Sequence, residues 1–122
     1  MRVMVFVKAT ADSEKGFQAS EWTDAMLAAM GRFNDELSAA GVLLNVGGLQ
    51  PTAAARRIAI DGDSRSVTAG PFSPAAQQVA GFWLWQVKDM DEALYWAQRC
   101  PAPMPGPCEI EIRPLFQPED LQ

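Results

Sequence analysis

Two short runs of this chain are apolar on both sides of an extended backbone, and they restrict its fold more than any other feature. In RVMVFVK, Arg2 to Lys8, Val3, Val5 and Val7 alternate with Met4 and Phe6. In FWLWQV, Phe82 to Val87, Trp83, Trp85 and Val87 alternate with Phe82 and Leu84. Successive side chains of a strand point to opposite faces, so neither run can leave one face in water. Both belong in the middle of a sheet. A chain of 122 residues with 48% hydrophobic content supports one core of ordinary size, which makes residues 1–122 a single domain.

The rest of the pattern supplies neighbours for those strands. After the polar stretch ATADSEKGFQAS, Ser20 is placed to cap a helix with Glu21 and Asp24 in its first turns. Trp22, Met26, Met30, Phe33, Leu37 and Ala40 recur at spacings of three or four, and Gly41 stands where a left-handed terminal residue is wanted. Such a stripe could line a ligand cavity, but helical spacing reads first as packing. Val42–Val46 reads as a strand closed by Gly47-Gly48-Leu49-Gln50-Pro51, and 56–61 and 65–68 read as a hairpin turning at Gly62-Asp63. Asp89 and Glu92 have capping-box spacing ahead of Met90, Leu94, Ala97 and Cys100, a second amphipathic helix. PAPMPGP, Pro101–Pro107, must be an extended loop, and CEIEIR, Cys108–Arg113, alternates like a strand with one wet face.

The resulting βαββαβ order with an extra hairpin predicts an α+β fold: an antiparallel sheet with both helices on one face. In that topology the first and third main strands are central, and these are the two doubly apolar runs. Helices on one face leave Met4, Phe6, Phe82 and Leu84 on the other, a larger apolar patch than a monomer normally exposes. A homodimer packed through that sheet face is therefore expected.

Several functions lose their chemistry at this level. The chain has no histidine, which removes the commonest general base near neutral pH and every Ser-His or Cys-His arrangement. Two cysteines, Cys100 and Cys108, cannot complete a structural zinc site without carboxylates, so neither metal nor cofactor is expected. They read as small reduced residues rather than a disulfide. A net charge of −5, with the basic residues scattered, argues against nucleic acid. No apolar run is long enough to span a bilayer and no signal-peptide pattern precedes the first strand, so a cytoplasmic protein with no membrane partner is expected.

One segment looks built for a site yet lacks charge. Between Arg65 and Lys88 no side chain is ionisable, although Thr68-Ala69-Gly70-Pro71-Phe72 has the make-up of a functional turn. Val67–Phe72 followed by Gly81-Phe82-Trp83-Leu84 resembles the signature of the YCII-related, or DGPF-motif, family of small bacterial proteins. The likeness extends to Gly41-Val42-Leu43, Gly48-Leu49-Gln50-Pro51, Asp91-Glu92-Ala93, Arg99-Cys100-Pro101 and Glu109–Pro114, in order and at consistent spacing. The resemblance implies a ferredoxin-like fold assembled as a dimeric α+β barrel, in a family whose activity is largely undefined. Some relatives are linked to extracytoplasmic-function sigma factors, so the resemblance also implies a regulatory partnership as an alternative. This chain departs from the pattern at Ala69, where the family usually has Asp, and at Pro74, Ala76 and Gln77, where charged residues are common. Such a loop can only donate and accept hydrogen bonds.

Three readings follow. A small organic ligand is expected in a cleft beside the AGPF loop, with Gly48, Gln50, Arg57, Thr68, Gly70, Phe72 and Gln77 as its candidate residues. A cofactor-independent enzyme of the same barrel class would need Lys8, Arg57, Asp61 or a group of the substrate for proton transfer. A non-catalytic regulatory partner would use the same cleft or an outer face. Against each stands the plain reading of a Gly-Pro turn that only reverses the chain, with four tryptophans that only pack.

Overall fold

The computed structural model describes residues 1–121. A four-stranded antiparallel sheet contains β1 (Arg2–Lys8), β2 (Leu43–Gly48), β5 (Val79–Gln86) and β6 (Ile110–Pro114), in the order β2-β5-β1-β6. The doubly apolar strands, β1 and β5, are the central pair, and the connectivity is ferredoxin-like. Between β2 and β5, the hairpin of β3 (Arg56–Asp61) and β4 (Ser64–Ala69) forms a sheet of its own. Three α-helices complete the order: α1 (Ala11–Glu14), α2 (Glu21–Ala39) and α3 (Met90–Ala97). The single turn α1 lies inside the polar stretch ahead of Ser20.

Caps set the helix ends where their sequence signals stand. Ser20 Oγ accepts from Thr23 N–H at 3.1 Å and Asp89 Oδ1 from Glu92 N–H at 2.9 Å. At the end of α2, Gly41 adopts φ +73°, Val42 N–H reaches Leu37 O at 2.9 Å and Gly41 N–H reaches Ser38 O at 3.0 Å. This is a Schellman closure, and its two apolar members, Leu37 and Val42, are both buried.

Register pairs Val5 with Trp83 and Ile112, and Val3 with Trp85. The side chains of that face join Phe33 and Leu37 of α2 and Ala93 of α3 in one core. The opposite face pairs Phe6 with Phe82 and Met4 with Leu84, and all four remain half-buried with no helix over them. The proline-rich loop contributes more than a connection. Its Met104 is 2% exposed, joins the core and accepts from Thr10 Oγ1 at 3.4 Å through its sulfur.

Two boundaries move for a shared reason. The second strand continues through Gly47 and Gly48 instead of ending before them, and its partner begins at Val79, so that Gly48 pairs with Gly81 and Gly47 with Phe82. A Cβ at Gly47 would stand 2.8 Å from the Phe82 ring. Glycine here marks a close approach within a strand rather than a break.

Candidate functional site

The AGPF loop is held from behind by a chain of hydrogen bonds that starts on α1. Glu14 accepts from Thr52 twice, Oε1 from the backbone N–H at 3.1 Å and Oε2 from the hydroxyl. Thr52 Oγ1 in turn accepts from Phe72 N–H at 2.9 Å, and Gly70 N–H donates to Ala55 O at 3.0 Å. The loop carries cis peptides at Gly70–Pro71 and Ser73–Pro74. It lies so close to the 52–54 turn that a Cβ on Gly70 would fall 1.8 Å from Thr52 O. Only glycine fits at that position without moving backbone. Both carboxylate oxygens of Glu14 are committed to Thr52, which makes this acid a clamp.

In front of the loop stands Arg57. Its guanidinium carbon lies 3.8 Å from the centre of the Phe72 ring, and Nη2 donates to Gln78 Oε1 at 3.0 Å. Gln78 is 8% exposed and its amide nitrogen donates back to Pro74 O at 3.3 Å, a bond that leaves its oxygen turned to Arg57. Thr68 faces Arg57 across the hairpin register. The arrangement orients a cation while leaving its other N–H groups free of any carboxylate among the described residues. A stacked guanidinium of this kind suits a planar anion.

The expected residues therefore divide. Arg57, Thr68, Gly70 and Phe72 come together at the loop. Gln77 instead lines a groove of about 700 Å³ along β6, with Lys8, Glu109 and Glu111. Gly48 lines an apolar cleft under α2, and Gln50 is exposed. Three contributors escaped the sequence reading: Gln78, Thr52 and Glu14. The tandem Gln77-Gln78 was a signal for the first, but its inward member is selected only by the strand that follows.

Elsewhere the chemistry is quiet. Cys100 and Cys108 are free thiols, half-buried beside the core. Burial pushes the Cys100 thiol up to about 12, with a smaller contribution from Cys108, whose own thiol is raised mainly by burial. Among the described residues no group of three Cys, Asp or Glu side chains has a metal-holding arrangement, and no helix is long and apolar enough to cross a membrane.

An antiparallel ferredoxin-like sheet, helices on one face, a projecting hairpin and a clamped Gly-Pro loop define a small α+β domain with one preorganised cation. The YCII-related domain matches residues 1–116, and the chain belongs to that family. It is also similar to an uncharacterised protein of Rhizobium meliloti (strain 1021), 34% identical over 84 residues that span 67% of this chain and 68% of that protein.

Proposed function

We propose that the protein is a homodimer, packed sheet to sheet, that binds a small organic anion beside the AGPF loop with Arg57 as the anchor. The observation that carries the binding reading is the Arg57 guanidinium, stacked 3.8 Å over Phe72, fixed by the buried Gln78 and unpaired with any acid among the described residues. Holding a cation in one orientation before a ligand arrives lowers the ordering cost of binding. Ala69 places no acid in the loop, and Glu14 is occupied by Thr52, so the site holds a ligand without a base to act on it.

Support for the pairing comes from the half-buried Met4, Phe6, Phe82 and Leu84, together with the hairpin residues Ile58, Ile60 and Val67, which are 60%, 67% and 68% exposed. An isolated two-stranded hairpin with an apolar face gains stability when that face is covered.

The test couples mass to affinity. Sedimentation at micromolar concentration should give two chains for the wild type and one for Leu84→Arg. Calorimetric titration should show benzoate binding, weak or no binding of the neutral benzamide, and loss of about tenfold or more in Arg57→Gln, the scale of a charge-assisted hydrogen bond. A monomeric wild type removes the assembly. Equal binding of benzoate and benzamide, or unchanged binding in Arg57→Gln, removes the site.

A further inference from the structure

The helix-covered side of the sheet is not closed along its whole length. α2 buries only Phe33 and Leu37, both in its second half, whereas Met26 and Met30 are half-buried and Leu27 is 59% exposed. Under the first half lies a cleft of about 360 Å³, lined also by Gly48 and Trp83 and by Met104 of the proline-rich loop. That volume is within the range of small-molecule sites, about 300–1,000 Å³. Among the described residues no ionisable side chain lines it, and Asn34 is the only polar side chain that does.

The chemistry of Asn34 is determined by its neighbour. Trp83 Nε1–H, which can only donate, gives its hydrogen bond to Asn34 Oδ1 at 2.7 Å. The amide must therefore turn its oxygen to the indole, and its NH2 donates to no acceptor among the described residues. The cleft thus combines methionine walls, which adapt to irregular apolar shapes, with one oriented donor and no charge. We infer that this cleft binds an uncharged, mainly apolar small molecule bearing a single carbonyl acceptor, which takes a hydrogen bond from Asn34 Nδ2. An anion has no counter-charge there, and burying one uncompensated is costly. The cleft is walled by α2 and the proline-rich loop, and Phe82, whose strand partner is Phe6, also lines it. It is separate from the Arg57 site and stands whether or not that site binds an anion.

The test uses the full chain labelled with 13C-methyl methionine and three probes of one shape: 2-acetylnaphthalene, 2-ethylnaphthalene and 2-naphthoate. The ketone should shift the Met26, Met30 and Met104 methyl signals and bind about three- to tenfold tighter than the hydrocarbon, the scale of one net hydrogen bond, with naphthoate weakest. Asn34→Leu should erase the difference between ketone and hydrocarbon. Because that variant also removes the Trp83 partner, Met26→Trp provides a second arm, filling the cleft from its half-exposed side; it should lose ketone binding while keeping the wild-type melting temperature. Absence of methyl shifts with the ketone, naphthoate binding as tightly as the ketone, a preference that survives Asn34→Leu, or undiminished binding in Met26→Trp would each overturn the assignment.

Discussion

The two faces of the four-stranded sheet use similar residues to different ends. Val3, Val5, Trp83 and Trp85 lie under the helices at 3% exposure or less, while Met4, Phe6, Phe82 and Leu84, their neighbours on the same two strands, stay half-buried. Both sets are equally apolar, so composition does not separate them. What separates them is that one face has Phe33, Leu37 and Ala93 to close on it, whereas Met4, Phe6, Phe82 and Leu84 are not part of that core. Hydrophobic stabilisation follows the area removed from water, so in the single chain the first face contributes more to the fold than the second.

The largest test of this asymmetry is a pair of truncations measured by urea unfolding at a concentration low enough to keep chains apart. Leu37→Ala should cost about 2–5 kcal/mol, through lost burial and the cavity left behind. Leu84→Ala should cost less than half as much there, and its cost should grow with protein concentration. Equal losses independent of concentration would abolish the distinction between the faces.

A smaller effect probes how the helix face handles its two indoles. Trp83 Nε1–H is satisfied by Asn34, whereas Trp85, at 0% exposure, has a buried N–H without a partner among the described residues. Asn34→Ala should destabilise by about 1–3 kcal/mol because it leaves a second buried donor unpaired. Placing Trp83→Phe in that background should recover part of the loss, and a double-mutant cycle showing no coupling would remove the Asn34–Trp83 bond from the account.

The smallest effect is chemical and concerns the rim of the covered face. Burial penalises the thiolate, so a Cys100 thiol at about 12 against its ordinary 9.0 carries on the order of a thousandfold less anion near pH 8. Alkylation followed by mass spectrometry at that pH should modify Cys108 well before Cys100. Rapid modification of Cys100 in the folded protein would show that its side of the core is open.

Much of the architecture was legible along the chain because its signals are local. Alternation placed β1 and β5 at the centre, Ser20 and Asp89 started helices, and Gly41 ended one. Where reading failed, the deciding partner was remote or the residue had two uses. Gly47 and Gly48 looked like a strand end, yet serve the approach of Phe82 and Gly81. The Trp22–Ala40 stripe reads as uniform packing, but only Phe33 and Leu37 are buried; Met30 packs against the core from its edge, and Met26 and Met30 border a cleft. Thr52 and Glu14 carried no sign of their bond, which joins residues far apart in the chain.

Periodicity, caps and turn residues by themselves determined the order of elements, the central strands and the surplus of apolar surface, since each depends on residues only a few positions apart. The tertiary structure alone decided that Arg57 rests on Phe72, that Gln78 rather than Gln77 turns inward to hold it, and that a cleft lies beside Met26 and Met30 of α2. These are matters of distance between segments remote in the chain, set by how strands register and helices pack, and no local pattern of side chains encodes them.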